Sequence, residues 1–334
     1  MCLISNLLRL PVAFLVSALL LSACVSAGPR MPQAYKTQPG PFDVNVADIV
    51  IRQDSQSREI PARISYPTTG DRLPVIVLSH GGGSSKDGYA RVADHWASHG
   101  YVVIAPTHMD SKSLGFDIAK AGGRAMVDVT MSRMREFAYI ARSVETIVAQ
   151  VPALAGRVDR KRLIAAGHSM GGGTALAAVG LKLKNRRDGS PMAMDNPGFT
   201  ALILLSEPGH NPMMPDEPWR QATVPTMIYT GTNDWGGVSD GSKSPFGYDF
   251  DGPADSGNPA RHYLWVDGVD HYMGGLWCCE GSKGPPDEIA LSAFKGVTTA
   301  FLDAYAKGDN KALKFLVSAE LAPITEGRAS LSVK

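Results

Sequence analysis

The chain has 334 residues, 44% hydrophobic and 19% charged, with 33 basic against 32 acidic side chains. This is the composition of an ordinary globular protein, large enough for one α/β domain or two small ones. No basic stripe or run of like charge is present, so nucleic acid is not an expected partner. The first 23 residues hold one charge, Arg9, ahead of Leu10–Val16 and Ala18–Leu21, and read as a secretory signal. They end in Leu21-Ser22-Ala23-Cys24, and Gly28–Pro41, with four prolines, reads as part of a flexible tether over 24–43. Val44–Arg52 and Glu59–Tyr66 alternate as an edge hairpin would. Leu73–Ser79 reads as a buried strand running into His80-Gly81-Gly82-Gly83. A helix over Tyr89–Ser98, closed by Gly100, and a strand over Tyr101–Pro106 follow. A loop with Gly115, Gly122 and Gly123 leads to a helix over Ser132–Gln150, a strand over Arg162–Ala166 and a helix over Thr174–Lys184. After a polar excursion at Asn185–Pro197, strands are expected at Ala201–Leu205, Thr226–Thr230 and, as the last, Tyr263–Val266. Gly236–Asn258 reads as loop, Glu288–Lys307 as the closing helix, and 319–334 as a tail. Strands alternating with helices imply an α/β fold: a mainly parallel, doubly wound sheet in one domain over 44–318, with no large cap.

Gly167-His168-Ser169-Met170-Gly171 fits G-x-S-x-G and falls between a predicted strand and a predicted helix, the context of a nucleophile elbow. A serine hydroxyl is a poor nucleophile at neutral pH and needs a base, an acid to orient it, and donors for an oxyanion. His271, five residues past Val266 in Asp270-His271, is the expected base. Asp234, in Gly231-Thr232-Asn233-Asp234, is the expected acid, with Glu207 after the preceding strand as its competitor. The oxyanion donors are expected to be the N–H of Met170 and one from the glycine loop, Gly82 first and Gly81 second. His80, His168, Trp235 and Trp277 are candidate pocket walls, as are His108 and His210, which follow strand ends. His95 and His99 lie one turn apart but lack a third ligand, and read as a solvated face. Asp249, Asp251 and Asp255 lack the twelfth-position Glu of a calcium loop. No metal and no cofactor is expected. Cys278 and Cys279, adjacent in sequence, read as a vicinal disulfide or as two buried thiols.

With these residues placed, the chain resembles the bacterial α/β-hydrolases akin to platelet-activating-factor acetylhydrolase, chlorophyllase and dienelactone hydrolase. The resemblance rests on Ser79–Gly83, Gly100–Val103, Gly167–Gly172, Gly231–Asp234, Asp270-His271 and the closing Phe301–Tyr305 with Gly308-Asp309. It implies the α/β-hydrolase fold over about residues 44 to 316 and a serine hydrolase of carboxylic esters, with short or flexible acyl groups suiting an uncapped cleft. The nucleophile is Ser, not the Cys of dienelactone hydrolases. In the acetylhydrolase branch the acid follows the earlier strand, which keeps Glu207 open. A serine peptidase or amidase and a non-catalytic envelope scaffold are the alternatives. The Leu21–Cys24 stretch is similar to the bacterial lipobox, which implies cleavage and lipid modification at Cys24. Val25 stands where an Asp holds such lipoproteins at the inner membrane. The expected location is therefore the cell envelope, on the outer membrane facing the periplasm in a two-membraned cell.

Overall fold

The computed structural model describes residues 34–53, 58–185, 187–194, 196–206, 213–215, 218–234, 260–275 and 285–333. Cys24, Glu207, His210, Trp235, the Asp249–Asp255 group, Trp277, Cys278 and Cys279 lie outside them. Val44–Gln53 (β1) and Arg58–Pro67 (β2) form the expected antiparallel hairpin. Leu73–Ser79 (β3), Ala90–Ser98 (α1) and Val102–Pro106 (β4) follow. Gly123–Arg142 (α2), Val144–Val148 (α3), Val158–His168 (β5) and Met170–Ala177 (α4) carry the chain through the elbow. Lys182–Lys184 (β6) and Pro191–Ala193 (β7) make a small separate hairpin. Ala201–Leu205 (β8), Thr226–Asn233 (β9), Arg261–Asp270 (β10), Glu288–Lys307 (α5), Asn310–Ser318 (α6) and Ala329–Val333 (β11) complete the order.

Nine strands form one sheet in the order β1-β2-β4-β3-β5-β8-β9-β10-β11. From β4 to β10 every neighbouring pair is parallel, and the two edges are antiparallel. Parallel strands are covered on both faces, so their central stretches are mostly apolar and successive side chains serve opposite layers. Val75, Val77, Leu163, Ala165, Leu202 and Leu204 pack with Phe137 and Ile140 of α2 and Leu176 of α4. Ile76, Leu78, Ile164, Ala166, Ile203 and Leu205 pack with Trp96 of α1 and Phe294 and Phe301 of α5. Each buried side chain of this size contributes about 1.5–3 kcal/mol, so the two layers hold the sheet as a rigid platform for the loops at its carboxyl edge.

Several boundaries differ from the sequence reading. Helix α2 starts at Gly123 rather than Ser132, with Gly122 as an extended N-cap, and it breaks at Ser143 (φ −97°, ψ 13°) into α3. Helix α4 ends at Ala177 rather than Lys184: Gly180 lies at φ +128° against Gln221 O, and the chain turns there into the β6–β7 hairpin. Its first strand replaces the end of the expected helix, and its turn and β7 fall in the expected polar excursion. The expected tail instead supplies β11, which pairs antiparallel with β10, Val266 opposite Ala329. The described part of the tether, 34–43, packs on the body. Tyr35 Oη (2.8 Å) and Lys36 Nζ (2.5 Å) donate to Asp303 Oδ2, and Gly40 N–H donates to Ser98 Oγ (2.8 Å). Asp303 is buried, and a buried carboxylate requires such partners. His95 and His99 are likewise buried, not solvated; His95 Nε2 meets Thr299 Oγ1 and His99 Nε2 meets Gln38 O, each at 3.1 Å.

Candidate active site

The turn between β5 and α4 holds Ser169 at φ +53°, ψ −122°, a region that costs a non-glycine residue about 1–3 kcal/mol. Its N–H donates to both Leu205 O (3.0 Å) and Ser206 O (2.8 Å), so the neighbouring strand pins the strained conformation. The flanking glycines are required by close approach. A Cβ on Gly167 would lie 2.1 Å from Gly171 O, and one on Gly171 would lie 2.1 Å from Ser79 O. Ser169 is thereby presented at the carboxyl edge of the sheet, 8% exposed.

His271 arrives from β10. The β9–β10 register shifts between Val266 and Asp270, and Gly268 (φ +82°) lies in this irregularity. His271 Nε2 sits 3.1 Å from Ser169 Oγ, and Nδ1 sits 2.7 Å from Asp234 Oδ1. Asp234, directly after β9, is fully buried, and its Oδ2 accepts from Thr230 Oγ1 (2.9 Å). With Nδ1–H donated to the carboxylate, the Nε2 lone pair faces the serine hydroxyl. The structure therefore brings together Ser169, His271 and Asp234, from three loops at one sheet edge. It adds Ser206, whose Oγ is 3.0 Å from His271 Nδ1. Ser206 is buried at φ +48°, and nothing in its residue type marks it.

Of the expected oxyanion donors, Met170 N–H opens α4, where the first N–H groups have no intrahelical acceptor. Gly81 N–H is engaged, donating to Tyr89 Oη at 3.1 Å. That leaves Gly82 as the candidate loop donor. A Cβ built on Gly82 would lie 3.5 Å from Met170 Cε and 2.9 Å from Ile118 Cδ1, so the two donors' residues are neighbours.

His80, His168 and His108 do not wall a pocket; all three rings are buried beneath the site. Burial, with the His271 charge next, pushes His168 down to about 3, so it is neutral. Its Nδ1 meets Tyr89 Oη (2.6 Å) and its Nε2–H donates to His271 O (2.9 Å), tying the elbow to the backbone of the candidate base. Burial and then the Arg133 charge push His80 down to about 3. His108 lies between Ser79 Oγ and Glu136 Oε2, 2.8 Å from each. This buried polar layer escaped the sequence reading because its members stand on β3, β5, α2 and the loops after β3 and β4.

The comparisons with known proteins agree with this fold. The chain is 27% identical to cutinase est2 of Thermobifida alba over 63% of this chain and 56% of that protein. It is 31% identical to chlorophyllase-1 of Arabidopsis thaliana over 39% of this chain and 36% of that protein. It is 25% identical to the platelet-activating factor acetylhydrolase of Cavia porcellus over 37% of this chain and 36% of that protein. The chain thus spans between about a third and just over half the length of these relatives. The chlorophyllase family model matches residues 32–205, just over half of the 334 and inclusive of the glycine loop, the elbow and β8. On that match and on a mainly parallel sheet wrapped by helices, the chain belongs to the chlorophyllase family of α/β-hydrolases.

Proposed function

We propose that this protein is a serine hydrolase that cleaves carboxylic esters through an acyl-enzyme on Ser169. The observation that carries the reading is the unbroken line Asp234–His271–Ser169, 2.7 and 3.1 Å, at a strained elbow. Ser169 Oγ attacks the acyl carbon while His271 Nε2 takes its proton, and Asp234 stabilises the imidazolium. The oxyanion forms against the N–H groups of Met170 and Gly82; losing one such donor typically costs about 3 kcal/mol of transition-state stabilisation. Collapse breaks the ester C–O bond, and His271 returns its proton to the leaving alkoxide. Water, deprotonated by His271, then attacks the acyl-enzyme, and the carboxylate leaves as Ser169 is reprotonated.

The relatives are named for cutin, chlorophyll and platelet-activating factor, which supports the reaction class rather than one substrate. A short or flexible acyl group is the finer reading, supported by a sequence with no long insertion to build a cap. The test is hydrolysis of p-nitrophenyl esters from acetate to long chains by the protein and its Ser169→Ala variant. Ester turnover that disappears in the variant is the expected result. Turnover of amides alone would replace the reading with an amidase, and no Ser169-dependent turnover of either would leave a binding scaffold.

The reading includes export and lipid attachment at Cys24, with the catalytic domain held in the cell envelope, supported by the Leu21–Cys24 sequence and the apolar run before it. An alkyne fatty acid fed to expressing cells should label the protein, and Cys24→Ala should abolish the label.

A further inference from the structure

A fully buried guanidinium lies directly under the glycine loop. Arg133, on α2, donates through Nε and Nη2 to the two oxygens of Asp110, both at 2.7 Å. Its Nη1 donates to His80 O (2.6 Å) and its Nη2 to Gly81 O (3.2 Å). Asp110 Oδ2 also accepts from Gly83 N–H (3.2 Å), so one ion pair touches both sides of Gly82. His80 adds to the same arrangement. Its Nε2 accepts the His108 N–H (2.9 Å), which places the ring proton on Nδ1, and Nδ1–H donates to Gly81 O (2.6 Å).

The consequence follows from peptide geometry. In a trans peptide the C=O and the following N–H point in opposite directions. Gly81 O is held toward Arg133 and His80, so the Gly82 N–H of the same peptide is turned away from them. A rotation of that one peptide would withdraw the donor and put a carbonyl dipole in its place. Glycines on both sides offer little steric resistance to such a rotation. We propose that Arg133, locked by Asp110, is the positioning residue of the oxyanion hole, holding the Gly81–Gly82 peptide so that the Gly82 N–H meets the developing oxyanion. Burial works against the Asp110 charge, but the hydrogen bonds from Arg133 outweigh it and hold the carboxyl below its ordinary range. Asp110 therefore stays ionised through the neutral range, and the hole is set before substrate arrives.

The inference rests on the serine-hydrolase reading, and its test separates the two. Arg133→Met, Arg133→Lys and Asp110→Asn are compared with wild type by p-nitrophenyl ester kinetics. Active sites are counted by a fluorophosphonate burst, and affinity is measured for a boronic acid that forms a tetrahedral adduct on Ser169. Removing one oxyanion donor typically costs about 10²–10³-fold in kcat, so Arg133→Met is expected to lose about 100-fold in kcat per titrated site with little change in KM. Boronate affinity should fall by a similar factor, and Arg133→Lys, which keeps the charge and reaches one carbonyl, should recover part of both. A purely structural role would lower the melting temperature and the number of active sites while leaving kcat per site intact. Values of kcat per site and boronate affinity within about threefold of wild type, in whichever of the three variants fold, would overturn the inference; Asp110→Asn is isosteric and serves if both Arg133 variants fail to fold. Wild-type turnover that ignores Ser169→Ala would instead overturn the serine-hydrolase reading, and this inference with it.

Discussion

Lowering the pH from 7 to 5 is expected to cost this protein a large part of its stability. Six of the eight histidines, His80, His95, His99, His108, His168 and His262, lie below their ordinary pKa, with burial the largest cause in each. His80, His95 and His168 are pushed down to about 3 and His262 to about 4, from 6.5. In the unfolded chain each takes a proton as the pH falls through 6.5, while in the folded protein each stays neutral until far lower. The unfolded state therefore binds more protons between about pH 6.5 and 4, and stability falls across that window as the pH drops. At 1.4 kcal/mol per pKa unit, each of these four histidines costs just under about 2 kcal/mol between pH 7 and pH 5, together roughly 7.5. That is a large share of the roughly 5–15 kcal/mol that holds a typical domain. Asp110, Asp287 and Asp303 have lowered values, so their contribution persists above their ordinary 3.8 and is lost only below it. The assay is urea unfolding by circular dichroism at steps from pH 7.5 to 4.5. His262→Gln supplies the control, since its ring meets Tyr305 Oη at 2.8 Å, apart from the triad. The variant should show a shallower pH dependence, by about one histidine's share. An unfolding free energy that is flat between pH 7 and 5, or a slope that the variant leaves unchanged, would refute the reasoning.

Asp234→Ala should lower kcat by about 10⁴-fold, the usual cost of losing the orienting carboxylate, while Glu207→Gln should leave kcat near wild type; the reverse order in steady-state kinetics would move the acid to Glu207. Ser79, His108 and Glu136 repeat the Ser–His–acid geometry at 2.8 Å per step but are fully buried. A fluorophosphonate should therefore label Ser169 alone, and peptide mapping that found label on Ser79 would contradict the burial. Gly167→Ala places a methyl 2.1 Å from a backbone oxygen of the elbow helix, so soluble, active protein is not expected, and a normal melting temperature would count against the close approach.

Much of the fold was legible because its signals are local. The apolar runs of β3, β4, β5, β8 and β9 each lie between turn residues, and both faces of a parallel strand must be apolar. The elbow was legible for the same reason, since strand, Gly-x-Ser-x-Gly and helix are contiguous in the chain. Other features turned on partners distant in sequence. Lys182–Lys184 continues a helical composition but pairs with Pro191–Ala193, and Ala329–Val333 is a strand only because the edge of β10 accepts it. His80 and His168 look like pocket residues from their motifs, yet the fold turns both rings into the interior. Arg133 reads as one more charge on an amphipathic helix, and only the approach of α2 to the loops after β3 and β4 makes it the centre of a buried ion pair. Local periodicity and turn chemistry thus determined the order of the central strands and helices and the candidate nucleophile. Tertiary structure alone decided which polar side chains face substrate and which sit beneath it, because that depends on where separate elements leave room and which buried dipoles require a partner.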